Sequence, residues 1–430
     1  MRAAFLLKGG PFCLGAFRGR STFVQNDKAM MKSLKGVALV GMLGMAFVAG
    51  AQAYLYQVFV LNEGWSDWQT GEVLVQPTLG VYDPALNVYE TVASIEEAGF
   101  ISDAILANGA LYVAADGQLL KYDADSYELL AAAEVTGVRQ LAERDGMIYV
   151  TRGDVDEFGM NLPLDSYLQW FHADDLTWAG ELTTANGPAY ATEGLAWSGD
   201  RLYIAVNNAF DWGNEVGYIG EWDVTTDVYT EFDLGEEGKN PNRLFADNGQ
   251  IVTVNNRDYG SASLSSLMTG AGTAQTHAVA DATAGCLAAA VFQGELKYQI
   301  TGENAVRTSA LDGLDESSTW LADAPAFYGA AIDPVSGHWY GSVTDYTTYG
   351  LVEIRDEEGG IVSTFDCGVS PGVICMDVRN ASDVASVELG SVNRLGGGVY
   401  DITGRELPTQ GFLRGVFIDG QGQKQVVIRQ

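Results

Sequence analysis

The sequence predicts an all-β protein: a seven-bladed β-propeller closed by a C-terminal strand, followed by a small β-sandwich-like C-terminal module. Three observations predict it. First, a unit recurs about seven times between Tyr54 and Asp377: apolar strand, tight turn, Tyr-rich strand, variable loop, strand ending in Asp, turn, strand. Its cleanest copy reads Ile105-Leu-Ala-Asn-Gly-Ala-Leu-Tyr-Val-Ala-Ala-Asp, then Leu119-Leu-Lys-Tyr-Asp-Ala-Asp-Ser-Tyr-Glu-Leu-Leu. A four-stranded unit cannot bury both its faces alone, and radial stacking on its neighbours solves that. Second, 52 glycines but only 10 prolines describe a turn-rich β chain rather than a disordered one, and 9 Trp, 20 Tyr and 17 Phe suit strands. Third, the first unit lacks its inner strand and an unmatched strand stands at the far end. A sandwich is the alternative all-β arrangement; the regular period and the split first unit argue against it.

In chain order, residues 1–53 read as leader and export signal, with 1–30 a mis-called start before Met30 or Met31. Lys32 and Lys35 form the basic region, Gly36 to Gly50 the apolar stretch, and Ala51-Gln52-Ala53 the small-residue cleavage site. The apolar run is shorter than the roughly 20 residues of a membrane span. No Cys follows the cleavage site to carry a lipid.

The propeller occupies 54–379. With the strands of a unit named A to D from the axis outward, unit starts fall near Ile101, Arg139, Glu193, Asn242, Gly285 and Tyr328. A–B turns such as Asn108-Gly109, Asp145-Gly146 and Asn248-Gly249 are hairpin signals, because Gly, Asn and Asp tolerate positive φ. Before Ile101, the segments at Tyr56, Leu79 and Tyr89 match strands B, C and D; Val373-Ile-Cys-Met-Asp-Val supplies the missing A and closes the ring. The unit near Gly285 is degenerate, so six or eight blades remain alternatives.

The formal net charge is −32; losing the seven basic and one acidic residues of 1–53 leaves 17 basic and 55 acidic, a net −38. Such a surface excludes nucleic acid as a partner and suits a secreted, soluble protein. Of Cys13, Cys286, Cys367 and Cys375, the last two fall on an outermost and an innermost strand, three strand spacings apart. That exceeds disulfide reach, so free, mostly buried thiols are expected.

A–B and C–D turns share one face of a propeller; B–C loops and D–A links share the other. The B–C loops here are long and mix amide, guanidinium, carboxylate and aromatic groups, as ligand sites do. The candidate ligand residues are Trp65, Trp68, Arg152, Asn207, Asn208, Trp212, Asn255, Asn256, Arg257, Tyr259, Asp345 and Tyr346. Any single Asn among them is better explained as a strand-end or turn residue; the set as a whole points to a ligand face. Asp154, Asp156 and Glu157 offer hard oxygen ligands for Ca²⁺, although their spacing lacks the full calcium-loop pattern and a solvated acidic loop explains them better. His172, His277 and His338 have no metal-ligand spacing, and no nucleophile elbow or phosphate loop is present. A hydrolase or lyase built on loop carboxylates and Arg257 stays open because carboxylates are abundant.

From Ala381 the pattern changes. Residues 380–395 read as linker and 396–430 as three strands with turns. The Tyr-Asp-x-x-Gly-Arg element at Tyr400–Arg405, the Gly-Val-Phe-Ile element at Gly415–Ile418 and a basic residue near the end resemble the C-terminal sorting domain of type IX secretion cargo in Bacteroidota. The chain departs from it by ending Arg429-Gln430, where Lys is usual. Likewise Phe59-Val-Leu-Asn-Glu-Gly, Tyr82-Asp-Pro, the repeated Leu-Tyr-Val/Ile strands and the Tyr-Asp-Ala-Asp turn at Tyr122–Asp125 resemble Bacteroidota surface propellers related to YVTN-repeat proteins. These resemblances imply a cell-surface or secreted location at the outer membrane and passage through the secretion machinery. The propeller resemblance also implies a corrinoid as one candidate ligand, with an outer-membrane transporter as a candidate partner; glycan and peptide are the other candidate ligands, and there is no certain cofactor. The alternatives are an extracellular enzyme or a protein-interaction scaffold.

Overall fold

The computed structural model describes residues 53–67, 70, 72–96, 98–285 and 288–380, together with four short strands beyond 398. Among them, seven four-stranded antiparallel sheets follow one another as blades. Strands A to D are Ile101–Ala107, Ala110–Ala115, Gln118–Asp123 and Leu129–Glu134 in blade 2, and Val138–Arg144, Met147–Arg152, Ser166–His172 and Trp178–Thr183 in blade 3. Blade 4 has Thr192–Ser198, Arg201–Val206, Tyr218–Asp223 and Val228–Asp233; blade 5 has Pro241–Asp247, Gln250–Asn255, Ala262–Met268 and Gln275–Ala280. Blade 6 has Ala289–Phe292, Glu295–Gln299, Ala305–Ala310 and Ser318–Ala322; blade 7 has Ala330–Ile332, Trp339–Val343, Tyr349–Arg355 and Ile361–Val369.

Blade 1 is composite, as the sequence predicts. Its inner strand Pro371–Asn380 pairs antiparallel with strand B, Ala53–Asn62, which is followed by Thr78–Asp83 and Val88–Ser94. Gln57 Nε2 donates to Asp377 Oδ2 at 2.9 Å across the seam. Against blade 7, Phe365 stacks on Tyr82 with centroids 4.2 Å apart.

The blade pattern follows from burial. Strand B lies between both neighbouring blades, so it is apolar without alternation: every residue of Ala110–Ala115 is buried. Strand D is outermost and reads half wet, as in Val228–Asp233. Seven hydrophobic clusters result, one at each blade–blade interface. The A–B turns of blades 2, 3, 5 and 6 have two successive left-handed residues, the geometry of a hairpin whose twist matches its strands. Asn108 and Gly109 sit at φ 51° and 75°, and in the degenerate blade 6 Gln293 and Gly294 do the same at 50° and 82°.

Cys367 lies buried on an outer strand and Cys375 half-buried on the innermost one, and both are free thiols. Burial pushes each up to about 12, helped by Asp366 at Cys367 and by Asp103 and Asp377 at Cys375. Cys13 and Cys286 lie outside the described residues. So do the export signal up to Gln52 and the linker beyond Asn380, whereas Ala53 and Asn380 themselves belong to strands of blade 1.

In the C-terminal segment the structure has four strands where the sequence pattern suggested three: Val399–Tyr400, Glu406–Leu407, Arg414–Ile418 and Lys424–Ile428. The first predicted strand region is divided in two, and Val399–Tyr400 pairs with both Glu406–Leu407 and Arg414–Ile418. Among the described residues no helix is long and apolar enough to cross a membrane.

Candidate functional site

The site begins with a repeated irregularity in the inner strands. In blade 2 Ile101 pairs with Ala115 and Asp103 with Ala114, leaving Ser102 extra. In blade 3 Arg139 and Gln140 face the single residue Thr151; in blade 4 Glu193 and Gly194 face Ala205; in blade 5 Asn242 is extra. Blade 1 repeats it with Gly372. A β-bulge bends its strand and re-aims the side chain at the bulge. Of the five bulges at this end of the inner strands, that of blade 1, at Gly372, falls on a second, deeper chamber, while those of blades 2 to 5 turn their segments toward the same point.

That point is a chamber of about 440 Å³ at the channel mouth, on the face of the B–C loops and D–A links. Ser102, Arg139, Gln140, Glu193 and Asn242 all line it, with Phe100, Tyr328 and Tyr346 as its aromatic residues; Phe327 also borders it but packs its ring into the core against Trp339. The volume falls within the usual range for small-molecule pockets, about 300–1,000 Å³.

Its charges are internally paired. Arg139 Nε donates to Glu193 Oε1 at 2.8 Å, and the Glu193 side chain is almost wholly buried. The Arg139 guanidinium lies 5.8 Å from the Phe100 ring and 5.3 Å from the Phe210 ring. Glu303, also in the lining, accepts from Arg307 Nε at 2.9 Å. Gln299 is occupied at both ends: Nε2 donates to Pro325 O at 2.8 Å and Oε1 accepts from Phe327 N at 2.8 Å, so it fixes the link that carries Phe327. Asn242 differs, because its buried Oδ1 has no hydrogen-bond partner.

Glu63 stands just behind this wall. Tyr328 Oη donates to its Oε2 at 2.8 Å, while its Oε1 is buried without a partner. Burial pushes the carboxyl up to about 8, against the opposing pull of the Tyr328 hydrogen bond and of Arg139. It is therefore a neutral acid at pH 7. Gly372 makes room for it, since a Cβ there would collide with Glu63 Oε1.

Deeper in the channel is a second chamber of about 260 Å³, lined by Asp103, Arg243 and Phe245 among small residues. Ser102 and Asn242 line the outer chamber and their neighbours Asp103 and Arg243 the inner one, so the two succeed each other along the inner strands. Asp103 Oδ2 accepts from Leu141 N at 2.9 Å; burial pushes its carboxyl up to about 6 against the pull of Arg243.

Of the residues the sequence singled out, Tyr346 lines the outer chamber. Trp65 is exposed on a small hairpin, Trp65–Ser66 with Val73–Val75, within the first B–C loop. Trp68 lies outside the described residues. Arg152 is buried and spends its guanidinium on Thr136 O and Ser166 O, each at 2.9 Å. The asparagines close strand ends. Asn207 Oδ1 accepts from Ala209 N at 3.1 Å, and Asn208 Nδ2 donates to Asn214 O at 3.0 Å. Asn255 bonds Ser263 and Ser265, and Asn256 Oδ1 accepts from Thr283 Oγ1 and Ala284 N.

Trp212 is exposed and stacks on Tyr259 at 5.0 Å, and Arg257 pairs with Glu237 at 2.8 Å; none of the three lines the chamber. Asp345 accepts Thr347 N and Thr348 N, which pull it down to about 2. Asp154 and Asp156 likewise accept amide hydrogens of their own turns. Among the described residues no group of three or more His, Cys, Asp or Glu comes together to hold a metal ion. The sequence reading named Arg139, Glu193, Asn242 and Tyr328 only as unit starts. A column of polar residues at the second position of strands otherwise destined for an interior, Arg139, Glu193 and Asn242, was the signal available.

Comparison with known proteins supports the fold. No family model and no curated relative matches the sequence. Among solved structures, a protein from Bacteroides fragilis provisionally described as a 6-phosphogluconolactonase is similar with a TM-score of 0.52 at 12% identity, covering 75% of this chain and 98% of that one. Weaker likenesses, which carry no argument, are to Hsv2 of Kluyveromyces lactis (TM-score 0.40, 11% identity, 60% and 74% covered) and to a chain of a nidogen–laminin complex (TM-score 0.41, 12% identity, 62% and 93% covered).

Proposed function

We propose that this chain is an exported β-propeller that captures a ligand in its channel mouth without catalysis, at the cell surface or after secretion. The observation that supports it most is the convergence of four inner-strand bulges, those of blades 2 to 5, on one chamber with an aromatic rim. Bulges cost ladder hydrogen bonds, so their repetition at one end of the channel marks a shaped site. The ligand classes in question are corrinoids, glycans and peptides. The export signal and sorting-like module would bring the chain to the outer membrane through the secretion machinery, where a transporter would receive the ligand.

The rival reading, a hydrolase or lyase using loop carboxylates, is weakened by the roles of those groups. Asp154, Asp156 and Asp345 cap their own turns, and Asp345 is held far below the range of a general acid. A pure scaffold would not need an open, polar-lined chamber.

The test is a thermal-shift screen of the full chain against corrinoids, oligosaccharides, peptides and Ca²⁺. A ligand that binds only the folded state raises Tm by mass action. A saturable rise with one class, lost in Tyr346→Ala and in Asn242→Leu, is expected. Binding that both variants retain places capture elsewhere on the molecule and overturns this reading.

A further inference from the structure

Resting on that reading, we propose that the mouth chamber takes the end of a neutral carbohydrate, a pyranose ring stacked on the aromatic rim with its hydroxyls turned to the bulge residues.

The argument is one of charge, surface and hydrogen bonding. The ionised groups in the lining are already paired, Arg139 with Glu193 and Glu303 with Arg307. An anion entering the chamber would leave water and find each guanidinium held by a carboxylate; a cation would find each carboxylate held by a guanidinium. Both would bear desolvation without a new partner. This selects against phosphorylated, uronic and cationic ligands, in a chain whose acidic surface already repels anions.

The lining also alternates two kinds of surface. Phe100, Tyr328 and Tyr346 stand at the mouth, with Tyr346 half-exposed and edge-on to Tyr328 at 5.2 Å. A pyranose carries a face of C–H bonds that lies flat on such a ring, and a girdle of hydroxyls that each donate and accept. The bulge residues answer the girdle. Gln140 and Asn242 line the chamber, and each carries a side-chain amide, a group that both donates and accepts.

The experiment is titration calorimetry of the full chain with neutral trisaccharides of glucose, galactose, mannose and N-acetylglucosamine. Their uronic-acid counterparts, cyanocobalamin and a capped tripeptide serve as non-neutral or non-sugar probes. Variants are Tyr346→Ala, Tyr346→Phe and Asn242→Leu, each checked for an unchanged melting transition. We expect at least one neutral sugar to bind, its uronic counterpart to bind at least tenfold more weakly, Tyr346→Phe to retain binding, and the other two variants to lose tenfold or more. Uronic sugars bound as well as neutral ones, or sugars bound equally by Tyr346→Ala, overturn the carbohydrate assignment. If only cyanocobalamin or the tripeptide binds, with sensitivity to Tyr346→Ala, the assignment fails while capture at the mouth stands. Silence from every probe overturns both.

Discussion

Replacing Glu63 with glutamine tests the electrostatics of the mouth most directly. The carboxyl is held by burial at about 8, against an ordinary 4.5. The folded protein thus keeps a proton on Glu63 over a range where the unfolded chain has released it. Stability from this group is full below about pH 4.5 and is lost as pH rises toward 8. A gap of about 3.5 pH units at about 1.36 kcal/mol each sets a ceiling of about 5 kcal/mol on the loss, most of it accrued by pH 7. The amide of the Glu63→Gln variant keeps a carbonyl oxygen to accept the Tyr328 hydroxyl and has no proton to lose. Wild type and variant should therefore unfold alike near pH 4.5, with the variant pulling ahead as pH rises. Urea unfolding of both at half-unit steps from pH 4.5 to 9 isolates the contribution as their difference. Infrared spectroscopy should show a protonated-carboxyl band at pH 6.5 that the variant lacks. A difference constant within about 1 kcal/mol across that range, with no such band, refutes the reasoning.

Three further outcomes are expected. Arg152→Ala should lower stability by about 2–3 kcal/mol, because it strips hydrogen bonds from two buried carbonyls, Thr136 O and Ser166 O, and leave ligand affinity unchanged; a selective loss of binding would return Arg152 to the site. Phe365→Ala should cost about 3–5 kcal/mol by emptying the seam where Phe365 stacks on Tyr82 and Tyr89, measured as a fall in the urea midpoint; an unchanged midpoint would show that the blade 7–blade 1 contact does not limit stability. Cys367 and Cys375 should resist iodoacetamide at pH 8 in the native protein and react fully in denaturant, read by peptide mass spectrometry. Native labelling at either would mean the strand around it opens.

The blades were legible because each unit repeats local chemistry: a positive-φ turn after an apolar run, then a Tyr-rich strand. Even the composite blade could be read, since a unit without strand A and a strand A without a unit complement one another. The site was less legible. Long loops drew attention to Arg152, Asn207 and Asn255, yet those side chains are consumed in closing strand ends. Arg139, Glu193 and Asn242 reach the chamber through bulges, and a bulge is a property of register between two strands. The sequence of either strand alone does not contain it. Glu63 was hidden for a related reason: its altered acidity comes from burial, and Gly372 and Tyr328, which pack against it, lie far along the chain and meet it only when the ring closes.

The composite blade also fixes an orientation. Ala53 opens strand B and pairs with Asn380, the last residue of strand A. Both ends lie on the A–B turn side, opposite the chamber mouth. Whatever chain precedes Ala53 and follows Asn380 leaves the ring from neighbouring points on the A–B turn side. A tether attached at either end would thus hold the propeller by its back, with the open chamber turned toward the medium.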